Sequence, residues 1–152
     1  LLEKYNLKDK NKKEFDFECT FDEFCKIYYE EYDKVYYYKE VTEFIHLLKG
    51  KCKIGILSNL CYLDRVRIDK QMGLNKFDYV WLSFELECRK PNCEIYELVE
   101  EDLDMNNIDI LFIDDDVKNL EIPKKRGWNV YNGFGYQLDD IKKVVNEFLK
   151  EK

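Results

Sequence analysis

The stretch Asp109-Ile-Leu-Phe-Ile-Asp-Asp-Asp116 is the strongest clue to the architecture, because an apolar run passes directly into three carboxylates. The run from Ile110 to Ile113 predicts a buried strand, and the acids then stand at its carboxyl end. In open α/β sheets that edge is where ligands bind. Adjacent carboxylates repel one another and are costly to desolvate, so a cation is their natural partner. The stretch therefore predicts a magnesium-type site.

The composition limits the class of protein around this site. A chain of 152 residues is long enough for one domain with a substantial core. Its formal net charge of −7 argues against a nucleic-acid partner. No apolar run reaches the length of a membrane-spanning helix, and no signal peptide is visible. We expect a soluble, cytoplasmic protein with no membrane partner.

The cysteines and the single histidine do not suggest a second chemistry. The six cysteines include no Cys-x-x-Cys pair, which favours scattered reduced thiols. Zinc binding by Cys88 and Cys93 stays open as an alternative, although their spacing is poor. His46 lies in an apolar helical stretch, where packing is favoured over catalysis. With one histidine in the chain, a Ser-His-Asp mechanism is not expected.

Strand-like and helix-like patterns alternate from Cys52 onward, which predicts a parallel sheet with helices on both faces. The expected strands are residues 52–57, 77–84, 110–113 and 128–131, and the third of them ends in the acids. The expected helices are residues 40–48, 63–72, a segment that has Pro91 in its first turn, a segment leading to Gly127, and 138–149. The fold class is therefore α/β and Rossmann-like.

Residues 1–38 differ from the rest, since they are polar, rich in aromatic residues and without strand patterns. Thr20 and Glu23 have the spacing of a capping box and predict a helix that begins there. We expect an appended helical element over residues 1–38 and an α/β core over residues 39–152.

Two further features fall at predicted strand ends, beside the acid pair Asp114 and Asp115. Ser58 follows the first strand, where its hydroxyl and nearby backbone N–H groups suit an anion. Lys90 precedes Pro91 beside a helix N-terminus, which also favours anions. Each feature alone is weak, because Ser-Asn is usually a turn and Lys-Pro usually a solvated lysine, and Asp116 suits a helix cap. Together, in this order, they suit a phosphate with its magnesium ion.

In that order these motifs resemble the haloacid dehalogenase (HAD) superfamily of phosphohydrolases, from Glu40 to Lys152. The matching segments are Ile54-Gly-Ile-Leu-Ser-Asn59, Arg89-Lys-Pro-Asn-Cys-Glu-Ile-Tyr96 and Leu111-Phe-Ile-Asp-Asp-Asp-Val-Lys-Asn119. The chain is similar to the subfamily whose helical cap lies between the first and second motifs. By this resemblance, residues 1–38 are the trailing part of that cap.

The resemblance implies a magnesium-dependent phosphatase that acts on a small phosphorylated metabolite through an aspartyl-phosphate. Ser58 would hydrogen-bond the transferring phosphoryl group, and the Asn59 backbone would assist. Lys90 would neutralise charge on the phosphate and on the nucleophilic carboxylate.

The resemblance also implies a magnesium ion held by the acidic strand end. Asp115 would ligate Mg²⁺ directly, and Asp114 would act directly or through water. Asn119 would orient the metal shell. Two positions depart from the family pattern: Glu87 stands where glycine is common, and Pro123 falls inside an expected helix, which should be interrupted there.

The family's first motif has no good match in the chain. That motif is an Asp-x-Asp after an apolar strand, and its first aspartate is the nucleophile. The nearest candidate, Asp16-Phe-Glu18, follows Lys-Lys-Glu-Phe rather than a buried strand.

In this fold the absent strand is central, between the strands that end at Ser58 and Asp114. We therefore expect a missing N-terminal segment of the same protein, upstream of Leu1, to supply the nucleophile. Two alternatives remain: a catalytically inactive HAD-like binding or regulatory protein, and a metal-independent 2-haloacid dehalogenase. The acid pair argues against the dehalogenase, since a site without metal gains nothing from it.

Overall fold

The computed structural model describes residues 20–32 and 38–151. The chain divides into two compact units, Leu1–Val35 and Tyr36–Lys152. The described part of the first unit is one helix, α1 (Phe21–Tyr32). Thr20 and Glu23 form the predicted capping box, in which Glu23 N donates to Thr20 Oγ1 at 3.2 Å and Thr20 N donates to Glu23 Oε2 at 2.8 Å. The Asp16-Phe-Glu18 candidate lies outside the described residues.

The second unit has the alternating α/β order that the sequence predicts. Its strands are β1 (Gly55–Ser58), β2 (Tyr79–Leu82), β3 (Leu111–Asp114) and β4 (Asn129–Asn132). Its helices are α2 (Lys39–Leu47), α3 (Tyr62–Met72), α4 (Ser83–Leu86), α5 (Cys93–Leu103), α6 (Glu121–Lys125) and α7 (Leu138–Lys150). Among the described residues, no helix is long and apolar enough to cross a membrane.

The strands form two parallel pairs. β1 pairs with β2, which sets Ser58 opposite Leu82, and β3 pairs with β4, which sets Asp114 opposite Asn132. Within residues 20–32 and 38–151, no β-ladder joins β1 to β3. The sheet is therefore two two-stranded halves, each with its own edges.

In a parallel pair, alternate residues of a strand direct their backbone N–H and C=O groups toward the partner strand, and this alternation shows which edge of each half has no partner among the described residues. Tyr79 N donates to Ile54 O at 3.2 Å, so even-numbered residues of β1 face β2 and Leu57 faces away. Asn129 N donates to Ile110 O at 2.9 Å, so Leu111 and Ile113 face away from β4. The outward edges of β1 and β3 thus present peptide groups that have no strand partner among the described residues.

Both faces of the sheet are covered by helices. Successive side chains of a strand point to opposite faces, and those of β3 pack into two different cores. Phe112 packs against a core on the α5 side, whereas Leu111 and Ile113 pack against a core built with α2 and α7. The first core contains Trp81, Ile95, Tyr96, Val99, Ile110 and Trp128. The second contains Leu48, Ile141 and Val145. The predicted α/β class with helices on both faces is confirmed.

Some predicted boundaries are wrong. The first strand begins at Gly55 instead of Cys52, and the second ends at Leu82 because Ser83 starts α4. Pro91 precedes α5, which begins at Cys93; Asn92 N donates to Arg89 O at 2.8 Å and closes a turn before the helix. The Lys90–Pro91 peptide is cis.

The helix after the acids is interrupted, as Pro123 predicts. A 3₁₀ turn (Val117–Leu120) leads into the short α6, in which Pro123 is the third residue. At that position the missing N–H costs no helical hydrogen bond, because the first turn of a helix has no partner for it.

Candidate active site at the carboxyl edge of the strands

Lys90 is the centre of the site and connects the two halves of the sheet. Its side chain is buried, and its Nζ donates to Leu57 O at 2.9 Å and to Asp114 Oδ2 at 2.5 Å. The ammonium also lies 5.4 Å from the centroid of the Phe112 ring. An ammonium has three donors, and these two bonds leave one of them for another acceptor.

Asp114 ends β3 as a buried carboxylate with several donors. Besides Lys90, its Oδ1 accepts from Asp116 N at 2.9 Å and from Asn119 Nδ2 at 2.9 Å. A buried carboxylate is tolerated when it is paired and hydrogen-bonded in this way. A carboxylate has about four acceptor sites, so little of this group is left for a metal ion.

Asp115 has the opposite environment. Its side chain is exposed, and within the described part of the chain its carboxylate forms no hydrogen bond or ion pair. The next acid, Asp116, accepts from Lys118 N at 3.0 Å and caps the 3₁₀ turn, as predicted. Of the three acids, Asp115 is therefore the one whose oxygens are available to a cation.

Asn59 and Ser58 end β1 in different ways. Asn59 clamps the Lys90 backbone, since Lys90 N donates to its Oδ1 and its Nδ2 donates to Lys90 O, both at 2.9 Å. The Asn59 side chain is therefore occupied, which leaves its backbone for an anion. Ser58 is half-buried, and its hydroxyl bonds to no described residue. Lys90, Asp114, Asn119 and Asn59 thus form one network, and Ser58 lies at its β1 end.

Two polar residues at this edge were not predicted. Ser83, after β2, accepts from Leu60 N at 3.0 Å and donates to Leu60 O at 3.1 Å, which ties the loop after β1 to β2. Asn132, the last residue of β4, donates from Nδ2 to Asp114 O at 3.1 Å and to Asp115 O at 2.9 Å. Both follow the rule that singled out Ser58 and Asp114, a polar residue where a strand ends.

The donor chemistry suits magnesium better than zinc. Within the described residues no group of three or more His, Cys, Asp or Glu side chains converges. Magnesium often binds one or two carboxylates while it keeps waters and substrate phosphate oxygens. Asp115 and the remaining capacity of Asp114 fit such a half-site.

The zinc alternative loses support. Among the described residues, Cys88 and Cys93 belong to no group of three or more side chains that could hold a metal ion. Burial raises the pKa of the Cys88 thiol, and a hydrogen bond with Glu97 is the main cause that raises the pKa of Cys93, so neither favours the thiolate that zinc binds. His46 packs edge-on against Phe77, with ring centroids 6.0 Å apart, as its packing role predicts.

Comparison with protein families gives one match over most of the chain. A family model described as haloacid dehalogenase-like hydrolase matches residues 2–132. No match was found among curated proteins.

Solved structures share this fold. A HAD-like family hydrolase from Porphyromonas gingivalis is 21% identical, with a TM-score of 0.61, and the alignment covers 84% of this chain and 74% of that one. A HAD family enzyme from Bacteroides thetaiotaomicron, in complex with magnesium and inorganic phosphate, is 22% identical, with a TM-score of 0.58 and coverage of 77% and 70%. In another structure of that enzyme the identity is 24% and the TM-score 0.57, with 61% of this chain covered. There the chain spans about half the length of the relative, 49%.

Proposed function

Because the chain belongs to the haloacid dehalogenase-like hydrolase family, we propose that it supplies the phosphate and metal groups of a magnesium-dependent phosphatase. The observation that carries the proposal is the buried Lys90 ammonium between Leu57 O and Asp114, together with the exposed Asp115, whose carboxylate has no partner among the described residues. The Bacteroides relative, solved with magnesium and inorganic phosphate, adds support at the level of the family. The proposed substrate is a small phosphorylated metabolite.

The roles of the residues follow from their contacts. The third proton of Lys90 would bond a phosphate oxygen, with the Ser58 hydroxyl and the Asn59 backbone N–H as further donors. Asp115 would hold Mg²⁺, and Asn119 would keep Asp114 oriented through its bond to Oδ1. A bound Mg²⁺ would neutralise charge on the phosphoryl oxygens. The arrangement as described contains no nucleophile.

The nucleophile is proposed to come from a strand that pairs with the outward edges of β1 and β3. In the part of the chain that the structure describes, the peptide groups on those edges have no strand partner, and a parallel strand between them would satisfy them. An aspartate at its carboxyl end would attack phosphorus, forming a carboxylate–phosphorus bond as the ester P–O bond breaks and the leaving oxygen takes a proton. Water would then release inorganic phosphate and restore the carboxylate. We propose that an upstream segment of the same protein provides this strand.

Phosphate release by the full gene product that contains this chain tests the proposal. Turnover of p-nitrophenyl phosphate should stop when EDTA is added and return with excess Mg²⁺. Lys90→Met should abolish turnover, whereas Lys118→Met should not, because Lys90 bonds to Leu57 O and Asp114 while the Lys118 side chain is exposed. Phosphate release that persists in EDTA would overturn the magnesium-dependent mechanism.

An inactive binding protein is the second candidate. Its support is that Asp114 is already satisfied by Lys90, Asn119 and Asp116 N, and that no three acids among the described residues converge on one point. It predicts binding of Mn²⁺ and inorganic phosphate by the full gene product without turnover of any phosphate ester. Chloride release from a 2-haloacid would instead favour a dehalogenase.

A further inference from the structure

The three acids after β3 are held in place very unequally. The Asp114 carboxylate is fixed by three partners, and the Asp116 carboxylate by its bond to Lys118 N. The Asp115 carboxylate is exposed and forms no hydrogen bond or ion pair with a described residue, so its direction depends on the backbone that carries it. A group that holds the Asp115 backbone in place therefore also sets the direction of the carboxylate that is proposed to bind the metal.

Asn132 is the side chain that holds this backbone. It stands opposite Asp114 in the β3–β4 register, and its one amide nitrogen uses both protons, one on Asp114 O at 3.1 Å and one on Asp115 O at 2.9 Å. The two carbonyls flank Asp115, one before its nitrogen and one after its Cα. Both peptide planes of Asp115 are thus tied to the end of β4. Gly133 N adds a backbone bond to Asp114 O at 3.2 Å but does not reach Asp115.

We propose that Asn132 is a positioning residue, which sets the direction of the Asp115 carboxylate toward a divalent cation by holding its two flanking carbonyls. This inference rests on the proposed function, in which Asp115 is the metal ligand. Residues that orient metal ligands typically change metal affinity about 10–100-fold when they are removed. Because the ligand itself is retained, saturating metal should restore the rate.

The same strand contains a matched control. Asn129, at the other end of β4, is also exposed and donates from Nδ2 to a backbone carbonyl, that of Ile108, at 2.8 Å. Asn129→Leu and Asn132→Leu each remove the side-chain donors and keep the branched shape of the side chain. Only Asn132 is bonded to the acids.

The test measures Mn²⁺ binding by the full gene product, from the signal of free Mn²⁺ in electron paramagnetic resonance, without substrate. Asn132→Leu should weaken binding about tenfold, and Asn129→Leu should leave the affinity unchanged. The Mg²⁺ concentration for half-maximal phosphatase activity should rise in the same proportion, with kcat at saturating Mg²⁺ near that of the wild type. If Asn132→Leu does not fold, Asn132→Ser, which keeps one donor, should give an intermediate affinity.

The outcomes separate the two proposals. Wild-type protein that binds no Mn²⁺ would overturn the metal site and this inference with it. Wild-type binding together with unchanged affinity in both Asn132 variants would overturn the positioning role alone. Equal loss of affinity in the Asn129 and Asn132 variants would also overturn it, because the effect would then be general stability.

Discussion

Outside the candidate site, the Glu100 carboxylate shows how one charged side chain can hold several segments together. Its Oε1 accepts from Arg126 Nε at 2.9 Å, Trp128 Nε1 at 2.8 Å and Asn107 Nδ2 at 2.9 Å, and its Oε2 accepts from Arg126 Nη2 at 2.5 Å. The hydrogen bond from Arg126 is the main reason that the pKa of Glu100 is lowered, and it outweighs the burial that would raise it. This one carboxylate joins α5 to the segment that enters β4.

Glu100→Gln should lower the free energy of unfolding at pH 7 by about 2 kcal/mol, because bonds to a charged acceptor become neutral ones. The pKa of Glu100 is lower in the folded chain than in the unfolded one. Its contribution is therefore complete above the unfolded-state pKa of roughly 4.3 and is lost as pH falls through the folded-state pKa. Urea unfolding at about pH 7, 4.5 and 3 measures the change.

Glu97→Gln is the control for this prediction. Glu97 also pairs with Arg126, at 3.2 Å, but its side chain is 48% exposed. Its substitution should cost only a few tenths of a kcal/mol. A wild-type advantage over Glu100→Gln that stays constant from neutral to acid pH would contradict the assigned role of the carboxylate.

Among the secondary-structure elements, the connection from β2 to α5 differs most from the sequence prediction. The residues after Leu82, where β2 was expected to continue, form α4 instead, and Glu87 follows with φ 55°, in the left-handed region. Glycine has no Cβ to clash there, whereas other residues are strained in this conformation. Glu87 thus adopts a conformation that favours glycine, the residue that the family resemblance places at this position.

Glu87→Gly should raise the free energy of unfolding by up to about 1 kcal/mol, because glycine adopts this φ without strain. Glu87→Ala keeps the Cβ and should leave stability unchanged, which makes it the control. Denaturant unfolding of the two variants measures the difference. A loss of stability in Glu87→Gly relative to Glu87→Ala would mean that relief of backbone strain does not control stability at this position.

At the scale of the whole molecule, the main feature is the separation of the sheet into two halves. The apolar residues of β1 and β3 are only half-buried, although strands inside a parallel sheet are normally covered on every side. Lys90 joins the halves at the carboxyl edge by bonding to both. The proposed strand between β1 and β3 would account for both the pairing and the partial burial.

Amide exchange within β3 should report that unpaired edge. In the 152-residue chain, Leu111 and Ile113 N–H groups should exchange at least roughly 100-fold faster than that of Phe112, which faces β4. In the full gene product, the proposed strand should protect all three. Hydrogen–deuterium exchange followed by NMR measures the rates residue by residue. Equal protection of the three amides in the 152-residue chain would mean that a part of this chain already covers the edge.

Much of the architecture could be predicted from local pattern. The capping box at Thr20, the helix that ends at Gly73, the acidic end of β3 and the interruption around Pro123 all follow from interactions between near neighbours in the sequence. Errors occurred where a distant partner decided the outcome. Asn132 is an example, since the carbonyls that it bonds, those of Asp114 and Asp115, lie 18 and 17 positions away in the sequence.

The sequence by itself determined the α/β class and the order of polar residues at the strand ends, because periodicity and turn chemistry are local properties of the chain. The family followed from the resemblance of its motifs. Only the tertiary structure decided how those residues divide their bonds. In the folded chain Lys90 bonds to Asp114, and the Asn59 side chain is occupied by the Lys90 backbone. The Asp115 side chain stays exposed, and Asn132 bonds to the Asp115 carbonyl. The physical reason is that parallel pairing joins segments far apart in sequence, and which oxygen meets which donor depends on register and on side-chain direction.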